Sequence, residues 1–344
     1  MNIPLLNHYL LLQSLISLIL GKTNIKRIYN KEDIMDKLDG VGVAFCGGGF
    51  KSYAQVAALE DMEKNNIKIA ACAGTSAGSV IACLTAAGLS AQEVYNVLIK
   101  ADKRVVESGL LSNMKRHILG LMMSSGLVPY ESMLEHAHIT LQDAGISGWE
   151  DIKKPLAIPT VDLVSGDLIV FTNCPELFKD PQNRWTCLSG DLDLAHCLVA
   201  SCGYPLAITP VQYLDHYYID GGCRMNLPTP LFNRDLVDGV VGVAMQRTMK
   251  PLEPSDMGTL NIMMRTVGCG SDQLDKIYAQ LCDVFVNIPI SGAEAFDAGI
   301  GENLIQEARV LLSSNPVDWS PVTTNINNDN TSFIDKIRTW WYSS

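Results

Sequence analysis

Within residues 41 to 88 the chain repeats one local plan twice: a short apolar run, a glycine turn, then a helix-like pattern. Val41, Val43 and Phe45 lead into Gly47-Gly48-Gly49, and Ile67, Ile69, Ala71 and Cys72 lead into Gly74-Thr75-Ser76-Ala77-Gly78. Strand, turn and helix in immediate succession, twice over, place the chain in the α/β class. The second turn has the G-x-S-x-G spacing of a nucleophile elbow, in which a strained strand-to-helix bend leaves a serine hydroxyl exposed. Gly74 and Gly78 permit that bend, since a Cβ at either place would crowd the backbone. The small residues Ser79, Ala82, Ala86 and Ala87 then let the following helix lie close against a sheet. Ser76 is therefore the candidate nucleophile. The Gly47-Gly48-Gly49 turn, one unit upstream, can aim unpaired backbone N–H groups at the same point from the positive end of a helix dipole. A tetrahedral oxyanion needs such donors.

Nucleotide readings of the first turn fail on single residues. A P-loop requires Gly directly before Lys51, where Phe50 stands, and a dinucleotide fingerprint requires Gly or Ala where Ser52 stands. Charge points the same way: 26 basic against 37 acidic residues give −11, which argues against a nucleic-acid partner and against general attraction to anionic lipid. The 10 cysteines show no C-x-x-C pair and no zinc spacing, so they read as mostly buried thiols in a reducing, cytoplasmic setting.

A third motif lies far downstream. Tyr217-Tyr218-Ile219 runs into Asp220-Gly221-Gly222, an aspartate at the carboxyl end of a strand, where open α/β sheets hold their sites. Alone, the pattern reads equally as an Asp-Gly β-turn. With Gly47-Gly48-Gly49-Phe50-Lys51, Gly74-Thr75-Ser76-Ala77-Gly78 and Asp220-Gly221-Gly222 in this order, the chain resembles the patatin-like phospholipases of the bacterial, single-domain type. That family is marked by G-G-G-x-[KR]-G, G-x-S-x-G and D-G-[GA]. The likeness spans about residues 40 to 310, and Asn226 and Pro228 continue it; Ser52 departs from it where the family carries glycine, which bears on how closely that helix packs.

The resemblance implies a three-layer α/β sandwich, a central and mostly parallel sheet flanked by helices. It also implies a Ser76–Asp220 dyad without a histidine, an oxyanion loop of Gly47, Gly48 and Gly49 with Lys51, and elbow glycines Gly74 and Gly78. The expected reaction is hydrolysis of fatty-acyl esters of the phospholipase A or lysophospholipase type through an acyl-enzyme. No metal or cofactor is called for. Two other classes stand beside it: an acyltransferase on the same scaffold, which would want a basic cleft, and a non-catalytic interaction protein, which the intact Ser76 and Asp220 argue against. None of the six histidines has the context of a triad histidine, and Asp162 reads as a strand-end structural residue.

The remaining chain divides into 1–30, an apolar helix; 40–312, the catalytic domain; and 313–344, a polar tail with an aromatic end. Residues 5–20 are too short for a membrane span, which takes about 20 apolar residues. They suit either packing on the domain or a partner copy, or an in-plane peripheral membrane contact. Residues 91–146 read as helical, with a methionine-rich stretch from Leu110 to Met123 suited to core packing or to a lid.

Overall fold

The computed structural model describes residues 35–111, 126–246 and 257–323. The expected N-terminal helix, most of the methionine-rich stretch and the aromatic end of the tail lie outside the described residues.

The strands are β1 (Val41–Phe45), β2 (Ile69–Gly74), β3 (Gly126–Val128), β4 (Leu156–Asp162), β5 (Leu168–Thr172), β6 (Trp185–Leu188), β7 (Leu206–Ile208), β8 (Val211–Tyr213), β9 (His216–Asp220), β10 (Val240–Ala244) and β11 (Val284–Asn287). The helices that matter for the site are α1 (Val56–Lys64), α2 (Ala77–Ala86), α3 (Ala91–Ser108), α4 (Tyr130–Asp143), α5 (Leu194–Cys202), α6 (Thr259–Ala279) and α7 (Gly301–Ser314). The main sheet runs β11-β10-β1-β2-β4-β5-β6, and the pairs from β11 through β4 are all parallel. The predicted architecture, a central and mostly parallel sheet flanked by helices, is what is found. The long helical reading of 91–146 is interrupted by β3, a short strand that pairs with β7 in a separate two-stranded sheet.

Strand alternation explains the layering. Val41, Val43 and Phe45 point into the core shared with α1, α2, α3 and α7, while Gly42 faces the other way, where a Cβ would lie 2.5 Å from the Phe232 ring. α2 and α5 pack directly on the sheet, α3 packs on α2 and α4 on α5, and α1 and α7 pack against α3 and each other. α3 opens with a capping box between Ser90 and Glu93 and closes at Gly109, whose φ of 66° suits glycine.

The two edges of β4 are shared unequally. One side pairs with β5, antiparallel, from Ala157↔Thr172 to Val161↔Leu168. The other side takes two strands end to end. β2 pairs in parallel at Cys72↔Leu156 and Ala73↔Ala157, and β9 enters from the opposite direction at Thr160↔Asp220, Val161↔Ile219 and Asp162↔Tyr218.

Asp162 closes the β4–β5 hairpin, accepting from Val164 N (3.0 Å) and Ser165 Oγ (3.0 Å) and lying 3.1 Å from His216 Nδ1. The structural reading of Asp162 accounts for every one of these contacts. Trp319, beyond the boundary expected at 313, is buried in the main core, and its Nε1 donates to Asp61 Oδ2 on α1 at 2.8 Å. An indole with a hydrogen-bond partner outweighs the polar composition around it.

Candidate active site

The elbow forms because β2 ends against α2 with no room for side chains. A Cβ on Gly74 would sit 2.3 Å from Gly78 O, and one on Gly78 would sit 2.4 Å from Cys46 O. The chain reverses through Ser76 at φ 53°, ψ −134°, a conformation rare for any residue with a Cβ. Neighbours hold it there. Ser76 N donates to Ser201 Oγ (2.9 Å), whose own hydroxyl donates to Pro159 O (2.7 Å), and Thr75 Oγ1 donates to Met225 O (2.8 Å). Strain of this kind costs on the order of 1–3 kcal/mol, and glycine avoids it at an entropic cost of roughly 0.5–1 kcal/mol. Ser76→Gly is therefore expected to melt above Ser76→Ala, by about 1 kcal/mol of stability, although both lack the hydroxyl. Equal melting curves would mean that the elbow carries no strain.

Asp220 arrives from the far side. Because β9 abuts β2 on one edge of β4, its last residue reaches the gap into which Ser76 turns. Asp220 is 2% exposed, and its Oδ1 accepts from Gly222 N at 2.7 Å. Burial pushes its carboxyl up to about 6, while hydrogen bonding from the Ser76 side chain and from Gly222 N–H pulls the other way without cancelling it. Of the two glycines after it, Gly221 is sterically required because it meets backbone, whereas Gly222 meets only side-chain ends. A Cβ on Gly221 would lie 2.2 Å from Pro159 O, and one on Gly222 would lie 2.9 Å from Asp220 Oδ1.

The glycine loop is fixed from behind. The Gln55 side chain clamps the Cys46 backbone, accepting from its N at 3.0 Å and donating to its O at 2.8 Å. Ser52, where the family carries glycine, is fully buried with its Oγ 3.4 Å from Cys46 O, so the departure is accommodated by a polar contact. Gly47 N, one of the expected oxyanion donors, donates to Asn226 O at 3.2 Å. Gly48 caps and Gly49 begins the 3-10 helix Gly49–Gln55, where the first N–H groups have no acceptor within the helix. Gly49 has φ +58° and a Cβ there would lie 2.0 Å from Ala295 O. Lys51 sits half-buried on the same helix, near enough for its charge to act on the Cys46 thiol; burial dominates there and pushes that thiol up.

Asn226 and Asp275 join these parts, and Asp275 has no mark in the sequence. Asp275, on α6, is 8% exposed and accepts from Asn226 Nδ2 (2.8 Å) and Leu227 N (3.0 Å). Burial raises its carboxyl to about 6. Through Asn226 it pins the segment after Asp220 to the glycine loop.

Ser76, Asp220 and Gly47 to Gly49 line one cavity of about 440 Å³, within the roughly 300–1,000 Å³ usual for small-molecule sites. Its walls are apolar: Val80 and Leu84 from α2, Leu98 and Val105 from α3, Leu141 from α4 and Leu198 from α5. Leu110 and Leu111, the described start of the methionine-rich stretch, also face it. His136 is the histidine that lines the cavity among the described residues; its Nδ1 has no hydrogen-bond partner, and burial, then Arg104, lower its pKa. His196 is held by Asp193 and His216 by Asp162. Among the described residues no three metal-ligating side chains gather, and no helix is long and apolar enough to cross a membrane.

The patatin-like phospholipase family model matches residues 43–233, from β1 through the loop after Asp220. The chain belongs to the patatin-like phospholipase family. Among its relatives is an uncharacterized protein, YqhO, of Bacillus subtilis, 26% identical over 216 residues, which are 60% of this chain and 71% of that one. A probable lipid hydrolase of invertebrate iridescent virus 6 is 23% identical over 187 residues, 53% of this chain and 59% of the viral one. Among solved structures, VipD from Legionella pneumophila aligns over 81% of this chain and 67% of its own at 13% identity and TM-score 0.38. ExoU in complex with SpcU, from Pseudomonas aeruginosa, aligns over 81% of this chain and 51% of its own at 14% identity and TM-score 0.38.

Proposed function

We propose that the chain is a serine lipid acyl hydrolase that cleaves fatty-acyl esters of the phospholipid or lysophospholipid class through a Ser76–Asp220 dyad. The observation that carries this reading is a strained, nearly buried serine beside a buried carboxylate whose pKa is raised, both opening into an apolar cavity. An unperturbed carboxylate is a poor base for a hydroxyl, and desolvation brings Asp220 closer to the task.

In the first half-reaction Asp220 takes the Ser76 proton as Oγ bonds to the acyl carbonyl carbon, and the carbonyl oxygen gains negative charge towards the N–H groups of Gly48 and Gly49. Collapse breaks the bond to the alcohol oxygen, which leaves with the proton from Asp220. A water then gives its proton to Asp220 and attacks the acyl carbon, and the acid leaves as the Ser76 hydroxyl is restored. The apolar cavity receives the acyl chain and excludes bulk water from these charges. Residues 40–312 constitute the catalytic domain in this reading.

A fluorophosphonate probe tests it directly. The native chain is expected to be labelled at Ser76 and to release fatty acid from a phospholipid, and Ser76→Ala to do neither while keeping its fold. Undiminished ester turnover by Ser76→Ala would remove the nucleophile assignment, and acyl transfer to an added alcohol in place of release would make the chain an acyltransferase.

A further inference from the structure

A surface helix normally turns charge to the solvent and apolar residues to the core. The first three turns of α6 break that rule. Met257, just before the helix, and Ile262, Met263 and Val267 on it are 56%, 47%, 52% and 42% exposed. Thr266, Cys269 and Gly270 share the exposed face. From residue 257 to 271 the single charged residue is Arg265, in a chain whose net charge is −11. The helix is amphipathic in an unusual sense, because its inward face is also committed: Val267, Gly268 and Ser271 line the cavity that holds Ser76. Val267 belongs to both sets, so the exposed apolar face runs without a break over the rim and into the cavity.

We propose that this face of α6, centred on Ile262 and Met263, is where the protein seats on a phospholipid bilayer, so that a lipid can pass its acyl chain over Val267 into the cavity. The inference rests on the lipid-hydrolase reading above. The occupant follows from the continuity: an apolar rim that leads into an apolar cavity suits a partner that supplies acyl chains singly from an apolar phase. The uncharged face suits zwitterionic lipid, which needs no cationic patch on an acidic protein. A second exposed apolar group, Leu163, Val164, Leu214 and Tyr217 at the hairpin tips, contributes nothing to the cavity lining and serves as the internal control.

The test is flotation of the full chain with phosphatidylcholine vesicles. Native protein and Val164→Glu are expected to float equally, and the double variant Ile262→Glu with Met263→Glu to float at least tenfold less. The double variant is also expected to hydrolyse dispersed p-nitrophenyl butyrate within about twofold of native, since neither residue lines the cavity. Should glutamate at these positions unfold the helix, Ile262→Ser with Met263→Ser repeats the comparison. Equal flotation of native and double variant, no flotation of native protein, or loss of butyrate hydrolysis in a folded double variant would each overturn the proposal. So would a lipid-free dimer that the double variant converts to monomer, because the face would then bury a second copy. If the native chain floats, the double variant does not, and neither cleaves the ester, the docking face stands and the hydrolase reading falls.

Discussion

Asp220→Asn is expected to lower turnover by on the order of 10²- to 10⁴-fold, the usual worth of a general base, while raising the melting temperature at neutral pH. The amide can still accept from Gly222 N, which Asp220 Oδ1 now does at 2.7 Å, so the loop keeps its shape. It cannot take the Ser76 proton. The gain in stability follows from the same burial. Asp220 ionises at about 6 in the folded chain, against 3.8 ordinarily. As pH rises between these values the unfolded chain loses its proton first, so folding stability falls across that window and stays lower above it. Removing the charge lifts that loss: the melting advantage of Asp220→Asn should be full at pH 8 and disappear towards about pH 4. With Asp220 as the proposed base, kcat/KM of the native chain should rise with pH through about 6 and then level as that carboxyl ionises. Single replacement of His136, His196 or His216 should leave far more activity than Asp220→Asn. A histidine variant that is folded and as inactive as Ser76→Ala, with Asp220→Asn still active, would establish a histidine mechanism instead.

Gly221→Ala is expected to be nearly as damaging, for steric reasons. Its new Cβ would lie 2.2 Å from Pro159 O and 2.7 Å from Pro159 C, both backbone atoms of a strand paired on both edges. Such atoms have nowhere to go, so the segment carrying Asp220 must move. Overpacking of this kind costs about 1–3 kcal/mol, and a displacement near 1 Å at the reacting groups can cost on the order of 100-fold in rate. Gly222→Ala makes a useful contrast, since its tight contacts are the ends of side chains, Asp220 Oδ1 at 2.9 Å and Asn226 Oδ1 at 3.0 Å. It should retain at least tenfold more activity than Gly221→Ala. Paired thermal melts and ester assays decide the matter, and equal activities would mean that the Pro159 contact does not control the loop.

The features visible in the sequence are those in which one residue type answers one local demand. Gly74 and Gly78 mark a bend that no other residue fits, and Gly221 marks a close approach, so each motif appears as a short fixed string. Supporting groups leave no such trace. Gln55 is a single amide in an apolar run, Ser201 is one of many serines, and Asp275 differs from Asp272 by one helical turn alone; their partners lie 9, 125 and 49 positions away in the chain. The direction of β9 was equally hidden, because period-2 alternation is the same for a strand read either way. The burial of Trp319 left no trace either, since Asp318 and Ser320 flank it with polar groups.

The end-to-end seating of β2 and β9 along β4 has a consequence for how finely the reacting groups can be tuned. Ser76 is fixed to the end of one strand and Asp220 to the end of the other, so their separation depends on where each strand sits along a common rail. A strand can shift only in whole residues, each about 3.3 Å, and a shift by one also turns the side chain to the opposite face. Slipping β9 by a single step against Thr160 would put Ile219 or Gly221 where the carboxylate belongs. The distance between the proposed nucleophile and the proposed base is in that respect a digital quantity, set by strand register and left for side-chain rotation only to refine.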